Sequence, residues 1–296
     1  MDIKYINRST NKVEIERPPG EGLLKFLYHN SIGKGVLLPI VKRKILTEWY
    51  GRWMDRPGSR KKISSFVDSL NIDMSESRRS VHEFKSFNDF FYRKLKPGLR
   101  TIQQGLVSPG DGKLLAFEKV SDVNSFFIKG KDFTLDEFLK DEGTASKYHD
   151  SSMVILRLAP NDYHRYHFPY DGIPSRSERI DGVYYSVSPI SVSEMFTKVF
   201  CENKREICRL ETQGKGKMLL IPVGATMVGS IRSTYEPGAP VKKGDEMGYF
   251  AFGGSTIVLL FDSGSFQLDN DLIANTKNQI ETSVKMGEKI ASARKE

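Results

Sequence analysis

The chain has 296 residues, enough for one large domain or two small ones, and its 39% hydrophobic and 28% charged residues exclude a disordered chain. No run approaches the roughly 20 apolar residues of a membrane-spanning helix, and the start, Met1-Asp2-Ile3-Lys4-Tyr5, has no secretory or transit character, so the chain is expected to stay where it is made. A formal charge of +8 favours an anionic partner, nucleic acid or membrane, while Cys201 and Cys208 are too few for a disulfide framework and read as free thiols.

In chain order, the first signal is basic. Lys34, Lys42, Arg43, Lys44, Arg52, Arg56, Arg60, Lys61 and Lys62 are set against only Glu48 and Asp55. Leu38, Val41, Ile45, Trp49 and Trp53 recur in the same stretch at helical spacing, which predicts one amphipathic helix over 38–54. Such a helix either packs on a core or lies in a bilayer interface, where tryptophan beside cations is at home. Ile63, Phe66, Val67 and Leu70 predict a second helix. Phe87, Phe90, Phe91 and Leu95 predict a third, with Ser86 as N-cap and Pro97-Gly98 as its end. Thr134 and Glu137 form a capping-box pattern that opens a short helix through Leu135, Phe138 and Leu139. Beyond about residue 105, apolar runs at 153–156, 218–221 and 257–261 are parted by Gly, Pro, Asp and Asn, which is strand grammar. The expected fold is α+β, with an N-terminal helical region, 1–83, before a β-rich domain, 84–296.

Three segments hold candidate chemistry: Ser108-Pro109-Gly110-Asp111-Gly112-Lys113, then Pro160-Asn161-Asp162-Tyr163-His164-Arg165-Tyr166-His167-Phe168-Pro169, then Phe252-Gly253-Gly254-Ser255-Thr256. Taken singly, each has an ordinary reading. Asp-Gly is common in turns, and Gly-Gly-Ser-Thr suits a flexible hairpin. His164 and His167 could begin a metal site, but no Cys/His cluster completes it, so no metal is expected. His29, His82 and His149 have no chemical neighbours in sequence. Taken together, Asp111, His167 and Ser255 are an orienter, a base and a nucleophile. Ser255 lacks the elbow motif of α/β hydrolases; the glycines before it leave the Gly254 carbonyl open to attack.

These segments resemble the phosphatidylserine decarboxylase family. Gly254-Ser255-Thr256 is similar to its processing site, Tyr163–Pro169 to its histidine motif and Pro109–Gly112 to its aspartate motif. Phe87–Pro97 is similar to its N-terminal signature, and Val223–Ser230 and Lys243–Gly248 match in place and order, so the resemblance spans roughly 84–266. Gly253 departs from the family, where a bulkier apolar residue is common.

The resemblance implies that Ser255 attacks the Gly254 carbonyl with His167 as base and Asp111 holding its tautomer. The chain would then part into a β chain, 1–254, and an α chain, 255–296, that stay associated. Ser255 would become a pyruvoyl group, the covalent cofactor, whose carbonyl forms an imine with the serine headgroup amine. His164 would assist decarboxylation, giving phosphatidylethanolamine and carbon dioxide. The implied partner is phosphatidylserine in an anionic membrane rather than nucleic acid, with a homodimer allowed, and the place is peripheral, on the cytoplasmic face of the cell membrane. That substrate favours the interfacial reading of 38–54, docking through Lys42, Arg43, Lys44, Trp49 and Trp53. Val241–Gly248 is also similar to the turn of lipoyl- or biotinyl-type modules, so barrel-sandwich-like elements are expected. No lysine sits at the hairpin tip that a carrier needs. A metal-dependent hydrolase using His164, His167 and Asp111 is the other competing class, and a soluble amino-acid decarboxylase the runner-up within pyruvoyl enzymes. The basic amphipathic helix argues against that runner-up.

Overall fold

The computed structural model describes residues 3–16, 21–42, 44–127, 132–225, 231–251 and 255–294, with only the backbone of 44 and 46–48. The alternation in Ile257-Val258-Leu259-Leu260-Phe261 sets the centre of the molecule. Val258 and Leu260 face one core, Ile257, Leu259 and Phe261 the other, and all of the strand Ser255–Phe261 is buried. A strand apolar on both sides needs a layer on each.

That strand lies inside a ten-stranded, mostly antiparallel sheet, between Ser152–Leu158 and Lys217–Gly224. Beyond Ser152–Leu158 come Gly112–Phe117, Glu281–Val284 and then Ile3–Asn7; beyond Lys217–Gly224 comes Arg205–Thr212. Helices Glu21–His29, Leu135–Leu139 and Pro189–Glu202 cover one face through Leu27, Tyr28, Phe138, Phe196 and Phe200. Two three-stranded sheets cover the other face and form its sandwich-like part. One of them joins Ile231–Ser233, Glu246–Phe250 and Arg165–His167; the other joins Phe266–Leu268, Lys289–Ala293 and Leu106–Val107. A separate small core of Met54, Ile63, Phe84, Phe87, Phe90 and Phe91 packs the helices Lys44–Met54, Ile63–Ser69 and Phe87–Phe91 together.

The helix-then-sheet order is as expected, with three local differences. Residues 3–16, read within the helical region, form a hairpin whose first strand runs parallel to Glu281–Val284, with Tyr5 opposite Glu281. The helix at Phe87 is N-capped by Ser86 but ends at Phe91, because the backbone of Lys94 and Lys96 bonds instead to Arg78 and Glu76. The helix over 38–54 is broken at Lys42 into Leu38–Val41 and Lys44–Met54. Lys42 is tied inward at this break: its carbonyl accepts from the Tyr184 amide at 3.1 Å, and its Nζ donates to Tyr185 Oη at 2.7 Å.

Candidate active site

The turn after Leu106–Val107 is closed by Ser108 Oγ, which donates to the Gly110 carbonyl at 2.7 Å. It delivers Asp111 to a buried position next to a strand pair so close that a Cβ at Gly112 would lie 2.5 Å from the Arg157 carbonyl oxygen. Both Asp111 oxygens are engaged. Arg100 donates to them from Nε at 3.1 Å and Nη2 at 2.6 Å, the Met286 amide donates at 2.8 Å, and Lys285 Nζ lies at 3.4 Å. Burial pushes this carboxyl up, but Arg100 and Lys285 outweigh it and hold it below the usual carboxylate range. Arg100 also grips Glu76 with both terminal nitrogens, so one guanidinium bridges two carboxylates.

His167 is buried on the strand Arg165–His167, its amide donating to the Pro109 carbonyl at 2.7 Å. The expected hydrogen bond from its ring to Asp111 is replaced by others. Nδ1 meets the Gly244 carbonyl at 2.8 Å, and Nε2 meets Tyr163 Oη at 3.1 Å. A carbonyl only accepts, so Nδ1 carries the proton and Nε2 is the basic nitrogen, receiving the Tyr163 hydroxyl. The tautomer assigned to Asp111 is thus set by Gly244, whose φ of +90° favours glycine. Asp111 acts on the ring only through its field. Burial lowers the His167 pKa against the pull of Gly244, Glu246 and Asp111, which leaves a neutral imidazole near pH 7.

His164 shares this tautomer, because its Nδ1 meets the Asp162 carbonyl at 2.9 Å. Its ring is fully buried against Phe91, with centroids 4.0 Å apart. The Asp162 side chain accepts from the Ala159 amide at 2.7 Å and from Lys113 Nζ at 3.0 Å, which pins the loop that presents both histidines.

Ser255 is the first residue of the central strand, paired with Leu158 on one side and Gly224 on the other, and it exposes 0% of its surface. Its Oγ has no hydrogen-bond partner among the described residues, and neither has the neighbouring Thr256 Oγ1. Leaving a buried hydroxyl unpaired costs about 1–3 kcal/mol, so packing alone does not account for a serine here. Gly254 and Gly253 lie outside the described residues. The Phe250 amide, a few residues upstream, donates to the His164 carbonyl at 3.0 Å, which ties the strand Glu246–Phe250 to the histidine loop.

The residues expected to dock on a membrane scatter. Trp49 is 66% exposed and Ile45 78%, whereas Trp53 is 37% exposed with Lys62 Nζ 4.5 Å above its ring. Lys42, expected to face a membrane, is half-buried on Tyr185 instead. Arg43 and the Lys44 side chain lie outside the described residues. Sequence reading missed Arg100, whose guanidinium grips Asp111, and Gly244 and Met286, which act through backbone atoms. Tyr163 was within reach, since it stands four residues before His167 in the same motif.

The sequence model of the family described as phosphatidylserine decarboxylase matches residues 87–292. Proteins called phosphatidylserine decarboxylase proenzyme are similar along nearly their whole length. One from Fusobacterium nucleatum is 50% identical over 98% of this chain and 97% of its own. Relatives from Desulfitobacterium hafniense strain Y51 and Clostridium beijerinckii are 46% and 44% identical, covering 97% and 98% of this chain and 97% and 99% of their own. Matched by the family's model over most of its length and by such relatives from end to end, the chain belongs to the phosphatidylserine decarboxylase family and is an enzyme of the carboxy-lyase class.

Proposed function

We propose that the chain converts phosphatidylserine to phosphatidylethanolamine and carbon dioxide with a pyruvoyl group that it makes from its own Ser255. The observation that supports this best is the buried, unpaired Ser255 hydroxyl at the head of the central strand, directly after two glycines. His167, neutral and with its basic nitrogen pointing away from Gly244, takes the hydroxyl proton; Tyr163 has to give up its bond to that nitrogen first. The Ser255 oxygen bonds to the Gly254 carbonyl carbon, the Gly254–Ser255 amide bond breaks, and its nitrogen receives the proton. Removal of the Ser255 α-proton then expels the Gly254 carboxylate, and water replaces the resulting enamine nitrogen, which leaves as ammonia. The carbonyl so formed supplies an electron sink that no ordinary side chain offers, and the protein's share is orientation and proton delivery. His164, wedged against Phe91 on a pinned loop, is placed to hold or return the proton that replaces carbon dioxide.

A diacyl substrate stays in its bilayer, so the enzyme has to meet a membrane surface. No described helix is long and apolar enough to cross one. We assign docking to the outer side of the N-terminal helices. Leu23, Ile32, Val36, Ile40, Ile45 and Trp49 are all exposed there, a larger apolar surface than 38–54 alone provides. Cleavage at the head of the strand leaves Ser255–Phe261 bonded on both sides, so the two chains stay together.

Intact-mass analysis under denaturing conditions tests the central reading. The parent should yield fragments 1–254 and 255–296, the second without a free amine at its start, and Ser255→Ala should stay whole. A parent that decarboxylates lipid while uncut sinks the pyruvoyl reading.

A further inference from the structure

Arg93 is a buried charge that self-processing leaves unused. Its side chain lies almost wholly inside the protein, Nη1 has no hydrogen-bond partner among the described residues, and Nη2 reaches the Asn161 carbonyl only at 3.3 Å. The guanidinium stands over the Phe90 ring, 5.1 Å from its centroid. Burial pulls its pKa down, and Asp162, Asp111 and Glu76 oppose this only from a distance. Other buried arginines are treated differently. Arg157 is clamped by Glu16 and Glu281, Arg165 by Glu246, and Arg205 by the carbonyls of Phe138, Cys201, Asn203 and Glu137. A buried guanidinium without a counter-charge is costly to fold around unless an anion arrives to meet it. Its neighbours say where that anion would sit. Phe91, two residues earlier, lies on the His164 ring, and Asn161 begins the loop that carries His164.

We propose that Arg93 binds the phosphodiester of the lipid headgroup, a subsite that rests on the phosphatidylserine decarboxylase reading above. The substrate carries two anions. A guanidinium on the carboxylate would stabilise the ground state that decarboxylation has to leave, whereas the phosphodiester keeps its charge from substrate to product. The planar fork of arginine also matches two phosphate oxygens, and Nη1 has donors to spare.

The test compares equilibrium binding of glycerophosphoethanolamine, ethanolamine and serine to the parent, Arg93→Gln and Arg93→Lys, each first checked for cleavage by mass. The preference for glycerophosphoethanolamine over ethanolamine isolates the phosphodiester, and that for serine over ethanolamine isolates the carboxylate. Arg93→Gln should lower the first preference by about tenfold or more, as loss of a charged hydrogen bond does, and leave the second alone. Arg93→Lys keeps the charge but loses the fork, so it should show a smaller drop in the first, and it decides the matter if the glutamine variant does not fold. A first preference unchanged in a folded variant, or absent in the parent, overturns the proposal. A loss confined to the serine preference also overturns it, because Arg93 then holds the carboxylate. Failure of the pyruvoyl reading would show separately, as an uncut parent.

Discussion

The strand Ser255–Phe261 and the helix Lys44–Met54 are both rich in large apolar residues, yet they treat them in opposite ways. In the strand every side chain is covered from both faces, and its five apolar residues from Ile257 to Phe261 contribute on the order of 10 kcal/mol of burial. In the helix, Met54 is buried while Ile45 and Trp49 face outward. On the proposed mechanism the first region needs rigidity, because the attacking Ser255 hydroxyl has to be held against one peptide bond. On the proposed docking the second needs only an apolar surface, since a bilayer adapts to what it meets. If this division is right, changes in one region leave the other region's property intact, and each prediction below looks for a breach of it.

The largest effect is expected at His167. Replacing it with alanine should slow cleavage by roughly 10²–10⁴-fold, the usual worth of a positioned base, while vesicle binding stays at the parent level. The pH profile sharpens this. Burial puts the folded pKa of His167 below its ordinary 6.5, so the neutral base persists as pH falls past that value. The cleavage rate should therefore hold through pH 6.5 and decline only below it. A decline centred above 6.5 would mean that a different group is the base.

Asp111 comes next, and here geometry separates two roles. With no hydrogen bond to His167, Asp111 works by fixing Arg100 and the Met286 amide beside the site. Asp111→Asn should slow cleavage about tenfold, as loss of one charged hydrogen bond does, and Arg100→Gln should match it. Each should also cost the fold about 3 kcal/mol, as breaking a buried ion pair does, which thermal unfolding would read. Because the folded pKa of Asp111 is lowered, its contribution is present above the ordinary carboxylate pKa and fades as pH drops through the lowered one. Normal cleavage in Arg100→Gln, with none in Asp111→Asn, would restore a direct Asp111–His167 partnership.

Much of this site was legible in the chain, and the gaps have physical reasons. Ser255, His167, His164 and Asp111 stand in segments whose residue types announce chemistry; the structure ties His167 to the aspartate turn through the Pro109 carbonyl and pairs Ser255 with Leu158, shortly before the histidine loop. Their partners were not legible, because Gly244 and Met286 act through backbone atoms that every residue has. The hairpin at 3–16 escaped for a different reason: its pairing partner, Glu281–Val284, lies at the far end of the chain. Periodicity at 38–54 predicts a helix, which the structure divides into Leu38–Val41 and Lys44–Met54. It does not report that Tyr184 and Tyr185 would seize Lys42 and break the run.

That break shapes the last and smallest prediction, on the proposed docking surface. A cation bound to Tyr185 Oη has little to offer an anionic leaflet, so Lys42→Gln should bind phosphatidylserine vesicles like the parent at low and high salt alike. Trp49 and Ile45 stand one turn apart and outward, and burying each in the interface is worth about 1.5–3 kcal/mol at full insertion. Replacing both with alanine should therefore weaken binding at least tenfold, by a similar factor at both ionic strengths, because apolar insertion is not screened. Trp53→Ala should do less, since Tyr50 and Lys62 already occupy two sides of that ring. Co-sedimentation of these variants, with a cleavage gel alongside, reads all three effects. Unchanged binding by the Ile45/Trp49 double variant would move docking off this helix and onto the upstream residues Leu23, Ile32 and Val36. Lost cleavage in the same variant would show that the two regions are coupled after all.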